Sequence, residues 1–151
     1  MNIASKATVV AAVVAAGAAA LIATGSSAQA ASKIQIYRVY YNSPGTDSRS
    51  NTSLNAEYVV LKNTDSVKRS LKSWTLRDKS GHIYTFPTFS LGAKKYVTIH
   101  TGQGTNTSAN LYWGSRAYIW NNTGDTAYLR WPGGTLADSC SWGSSGSSKY
   151  C

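Results

Sequence analysis

The sequence predicts an all-β domain, an antiparallel sandwich or barrel, behind a cleavable signal peptide. Three observations carry the fold class. Apolar residues recur at every second position in short runs rich in Val, Ile, Tyr and Thr. Clusters of Gly, Pro, Asn and Asp separate those runs at intervals of roughly ten residues. No window sustains a 3.6-residue apolar period, and glycine recurs too often for long helices.

The elements follow in order. Residues 1–30 have the three parts of a secretory signal: Lys6 with the amino terminus, an apolar run over 7–23, and Ala28-Gln29-Ala30 as a small-x-small site. Cleavage between Ala30 and Ala31 leaves a domain over 31–151. Its strands are expected at 33–41 (KIQIYRVYY), 57–62 (EYVVLK), 74–77 (WTLR), 82–86 (HIYTF), 96–100 (YVTIH), 118–120 (YIW), 127–131 (AYLRW) and 136–140 (LADSC). Asp78-Lys-Ser-Gly81 and Pro132-Gly-Gly134 are turn sequences that close hairpins, because Pro presets φ and Gly accepts positive φ. Asn121 to Asp125 is a further reversal, and 42–54 and 102–110 are the long polar loops. Alternation places Tyr40 and Tyr41 on opposite faces of the first strand, and Trp74, Phe86 and Trp120 are expected inside.

Cysteine usage agrees with export. The chain has two cysteines, Cys140 and Cys151, and they bracket a Gly/Ser-rich tail. Neither lies beside a His or in a C-x-x-C, so the pair reads as a structural disulfide. A loop that short contributes about 2–3 kcal/mol on the chain-entropy account. Removing Lys6 with the leader leaves 14 Lys and Arg against six Asp and Glu, a formal +8. Such a charge serves solubility or attraction to a polyanion, and the scatter of single and paired cations favours solubility.

Six ordered segments then resemble one family: LNAEYVVLKN (54–63), LKSWTLRD (71–78), YTFP (84–87), HTGQG (100–104), WNNTGD (120–125) and GTLAD (134–138). Together they are similar to the lamin-tail domain family, in the form of its secreted bacterial members. The resemblance implies an immunoglobulin-like antiparallel β-sandwich, and an accessory or interaction module in place of an enzyme. It assigns structural work to Asn55, Glu57, Asn63, Trp74, Asp78, Trp120, Asn121, Asn122, Gly124, Asp125 and Asp138. Asn63 would end a strand, Asn121 to Asp125 would pin a turn, and Asp138 would fix register by accepting backbone hydrogen bonds or by pairing with a cation.

Chemistry-bearing motifs are sparse. His82 and His100 fall on expected strands with no carboxylate at diagnostic spacing. There is no G-x-S-x-G elbow, no G-x-x-x-x-G-K-[ST] loop and no Cys/His zinc spacing. No catalytic residue, cofactor or metal is therefore assigned. The chain has 10 Tyr, 5 Trp and 2 Phe, more than one small core needs, so Tyr112, Trp113 and surface tyrosines are candidate contacts for sugars or bases. The first reading is a secreted, non-enzymatic module that binds a macromolecular partner, a cell-envelope polymer or an extracellular protein, at or outside the cell surface. It meets the membrane only during export. The second is salt-sensitive binding of nucleic acid or an anionic wall polymer. The third is a secreted enzyme or enzyme inhibitor that uses the 42–54 loop.

Overall fold

The computed structural model describes residues 30–151. The expected leader, apart from Ala30, lies outside the described residues. Two sheets pack face to face as an immunoglobulin-like sandwich. The first has, in order, β11 (Ser148–Tyr150), β1 (Ile34–Tyr40), β2 (Tyr58–Asn63), β7 (Tyr96–His100) and β8 (Asn110–Tyr112), and the second β10 (Leu136–Trp142), β9 (Asp125–Arg130), β4 (Thr75–Arg77) and β5 (Ile83–Thr85). A short ribbon pairs β3 (Arg69–Ser70) with β6 (Ser90–Leu91).

Period-two alternation decides what each strand buries. In β2 (Tyr58–Asn63), Val59, Leu61 and Asn63 point inward while Tyr58, Val60 and Lys62 point outward. In β7 (Tyr96–His100), Val97 and Ile99 are inside. The facing sheet answers with Leu76 of β4 (Thr75–Arg77), Tyr84 of β5 (Ile83–Thr85), and Ala127 and Leu129 of β9 (Asp125–Arg130). Trp74, Phe86 and Trp120 join the same core. Each fully buried large apolar side chain contributes about 1.5–3 kcal/mol, so this core is the main source of stability.

Three links tie the layers together. In β10 (Leu136–Trp142), Asp138 Oδ2 accepts a hydrogen bond of 2.8 Å from the Ile36 N–H of β1 (Ile34–Tyr40), at the bulge between Ile36 and Arg38. The Tyr41 and Trp142 rings stack with centroids 4.9 Å apart. A disulfide joins Cys140 to Cys151, with 5.8 Å between their Cα atoms. Because the Cys151 N–H donates to Tyr37 O of the other sheet, this bond crosslinks the two layers as well as holding the tail.

Several elements depart from the sequence reading. The segment 118–120 is not a strand. Its central N–H, that of Ile119, donates to a carboxylate in place of a ladder partner. The 42–54 loop contains a single turn of helix, α1 (Asn51–Asn55), whose N-cap Ser50 accepts from Ser53 N–H at 3.2 Å. The tail forms β11 (Ser148–Tyr150), antiparallel to β1. The 102–110 loop runs into β8 (Asn110–Tyr112), which is parallel to β7 and so an exception to the antiparallel rule. The expected hairpins at Asp78–Gly81 and Pro132–Gly134 join β4 to β5 and β9 to β10.

Candidate interaction face

The outer face of the five-stranded sheet is built by register. Tyr40 opposes Tyr58, Tyr58 opposes His100, and His100 opposes Tyr112, so four rings form one row across β1, β2, β7 and β8. Neighbouring ring centroids lie 5.3, 5.8 and 5.1 Å apart. His100 is anchored within the row: Nδ1 donates to Asn55 O at 2.8 Å, and Nε2 lies 2.9 Å from Asn110 Oδ1. Cross-strand pairs of this kind contribute about 0.2–1 kcal/mol each.

A second cluster follows from the bulge in β1. The extra residue there lets Tyr37 and Arg38, neighbours in sequence, share the outer face. Tyr37 meets Tyr96 at 5.0 Å and Tyr150 at 5.6 Å, both edge-on. Lys62 Nζ sits 5.2 Å from the Tyr96 ring centre and 5.8 Å from that of Tyr37. Arg38 lies over Tyr150 at 4.7 Å and Tyr40 at 5.3 Å. Tyr37, Tyr96 and Tyr150 are 40, 42 and 59 % exposed. None of the five strands contains an Asp or Glu, so neither cation is neutralised on this face.

The residues singled out from the sequence lie elsewhere, mostly inside. Glu57 is fully buried between α1 and β2. Its Oε1 accepts from Thr101 Oγ1 at 2.7 Å and Ile119 N–H at 2.8 Å, while Oε2 has no partner among the described residues. Burial pushes this carboxyl up to about 7, against the hydrogen bonds from Ile119 and Thr101 that favour its charge. The Asn55 side chain donates to Gln103 O at 2.9 Å, and Asn51 on the same turn of helix does likewise. Asn63, at the end of β2, donates to the carbonyls of Val67, Leu91 and Gly92 and accepts from Asp65 N–H.

The turn residues work in the same way. Asp78 is buried and accepts from Gly81 N–H and His82 N–H, and its Oδ2 lies 2.6 Å from His82 Nδ1. Asp125 accepts from the N–H groups of Lys79, Asn121 and Thr126. Asn121 O accepts from the Trp142 indole, and the Asn122 side chain donates to Asn42 Oδ1. Gly124 has φ +132, a conformation L side chains rarely adopt, and its missing Cβ would lie 3.4 Å from Trp142 O. Asp138 bonds Ile36 across the layers, while Trp74 packs against Trp131 with centroids 4.1 Å apart. Ala30 and Ala31 line a cavity of about 380 Å³ with Lys33, Ile34, Arg69, Ser70, Trp74 and Trp131. Among the described residues no three His, Cys, Asp or Glu side chains are placed to share a metal ion.

Sequence reasoning named Tyr40, Tyr112 and His100 singly, paired Tyr112 with Trp113, which instead packs on the core against Tyr84 and Trp120, and missed Arg38, Tyr58, Lys62 and Tyr150. The signal was present. The outward positions of three strands read Tyr37-Arg38-x-Tyr40, Tyr58-x-Val60-x-Lys62 and Tyr96-x-Thr98-x-His100. Only register turns those separate triplets into rows.

The Lamin Tail Domain family model matches residues 27–144, most of the chain, so the chain belongs to that family. Membership indicates a non-enzymatic, immunoglobulin-like interaction module. No curated protein matches the sequence.

Proposed function

We propose that this lamin tail domain is an exported interaction module that docks a macromolecular partner at or outside the cell surface, on the outer face of the five-stranded sheet. The observation that carries the reading is the continuous Tyr40–Tyr58–His100–Tyr112 row beside two cations that no carboxylate offsets. Exposed tyrosines offer large contact area at low conformational cost, which suits a binding surface. A purely structural face has less reason to carry Tyr37, Tyr96 and Tyr150 at such exposure beside cations. Export rests on the tripartite leader and on a disulfide, which persists in oxidising compartments.

The test has two parts. Mass spectrometry of the culture medium should find a chain beginning at Ala31. The Y37S/Y96S/Y150S variant should lose capture of envelope or extracellular material that the native chain retains, while its thermal unfolding stays close to native. Retention of chain in the cytoplasm, or undiminished capture by the variant, would sink the reading.

A further inference from the structure

Five of the six side-chain carboxylates are engaged by protein partners, and three of them, Glu57, Asp78 and Asp125, are buried. Glu57, Asp78, Asp125 and Asp138 accept hydrogen bonds from N–H or O–H groups that hold loops and layers in place. Asp65 accepts from Ser66 N–H and is paired with Arg69. Asp47 is left exposed. Among the described residues, Arg69 is the one Lys or Arg in a carboxylate ion pair. The formal charge therefore understates how positive the surface is, because half of the carboxylates are buried while the cations stand at the surface.

The rings on the outer sheet face narrow the ligand further. A nucleobase needs an open ring face to stack on. Here Tyr40 stacks on Tyr58 and His100 on Tyr112, with interplanar angles of 22° and 19°. Arg38 and Lys62 cover faces of Tyr150, Tyr40, Tyr96 and Tyr37. Hydroxyl groups remain available. Tyr41 and Tyr118 bond Ser145 O and Ser53 Oγ, whereas the hydroxyls of the face tyrosines take no protein partner among the described residues. Arg38 opposes Val60 and Lys62 opposes Gln35, so the two cations stand on adjacent strands, one on each side of the bulge.

Such a surface offers two cations and several hydroxyl donors but few open platforms. It fits a ligand dense in anionic acceptors and free of aromatic rings. Resting on the docking reading above, we propose that this face binds a phosphodiester-linked polyol polymer, the repeating phosphates meeting Arg38 and Lys62 and the tyrosine hydroxyls meeting phosphate and polyol oxygens.

The test is equilibrium binding of the full chain to poly(glycerol phosphate), with oligo(dT) and a carboxylated polysaccharide as competing probes, at about 50 and about 200 mM salt. The polymer should bind in preference to both, and weaken as salt rises. R38Q/K62Q should reduce its affinity by about tenfold or more, while K72Q/K79Q, which removes the same charge elsewhere, should change it by less than about threefold. Thermal unfolding is compared first, and K62Q alone replaces the pair if the pair melts early. Equal affinity for oligo(dT) or the polysaccharide overturns the proposal, as does equal loss in K72Q/K79Q. Absence of polymer binding overturns it too. If Y37S/Y96S/Y150S then still loses its envelope partner, the docking reading survives and only the polymer is wrong.

Discussion

Glu57 and Tyr58 are neighbours in sequence, as are His100 and Thr101, yet each pair is divided between two regions of opposite character. Glu57 and Thr101 point into the molecule, where the Thr101 hydroxyl donates to Glu57 and Glu57 also accepts from the Ile119 N–H. Tyr58 and His100 point outward and form the middle of the aromatic row. The inward region satisfies most of its polar atoms with protein partners, as burial demands. The outward region leaves hydroxyls and cations for something else. The contrast separates what this chain spends on folding from what it has available for binding, and substitutions on either side should have opposite signatures.

The largest effect on stability is expected at Glu57. Truncation by E57A removes the acceptor of two buried donors and opens a cavity, at a cost of about 3–5 kcal/mol in denaturant unfolding. The same group makes stability depend on pH. Burial pushes its carboxyl up to about 7 in the fold, against 4.5 for an exposed glutamate, so between those values the folded state holds a proton that the unfolded chain has already released. This contribution is complete below pH 4.5, declines as pH rises, and is gone above 7, a loss of about 3 kcal/mol. E57Q keeps an acceptor without the charge and should flatten that window. An unchanged pH profile in E57Q would mean that another group is responsible.

The link between the layers comes next. C140S/C151S should destabilise the domain by about 2–3 kcal/mol through the unfolded state. D138A, which leaves the Ile36 N–H without its carboxylate, should cost about 1–2 kcal/mol. Both changes spare the Tyr40–Tyr58–His100–Tyr112 row but adjoin the Tyr37–Arg38–Tyr150 cluster, through Cys151 beside Tyr150 and Ile36 beside the bulge, so binding by the folded fraction should fall far less than in R38Q/K62Q. A variant that lost binding while still folded would show that the sandwich layers and the face are coupled.

Much of the fold was legible because alternation and turn chemistry are local. β1, β2, β7 and β9 announce themselves by Ile34/Ile36, Val59/Leu61, Val97/Ile99 and Ala127/Leu129. The failures have physical causes. The 118–120 triplet has strand composition, but its Ile119 N–H is claimed by Glu57, 62 residues away in sequence. β3 and β6 are two residues long and both strands are set by their pairing alone. β11 reads Ser-Lys-Tyr, which carries no apolar pattern, and exists because the tail lies along β1. α1 is one turn, too short for periodicity to show. The face was least legible of all, since rows of side chains depend on which strands become neighbours and in what register.

The smallest effect on stability and the sharpest on function should coincide at Lys62. Its ammonium lies over two tyrosine rings, contacts worth about 0.5–1 kcal/mol at an exposed site. K62Q should therefore lower stability by no more than about 0.5–1 kcal/mol, since the glutamine stem still covers part of the same ring surface. Binding should fall much more steeply, because the anion loses one of the two cations it meets on this face. Stability falls without a fall in binding only if Lys62 serves the fold. A variant that melts several degrees early yet binds normally would place this lysine with Glu57 on the structural side, and would leave the aromatic row without the cation that gives it a partner.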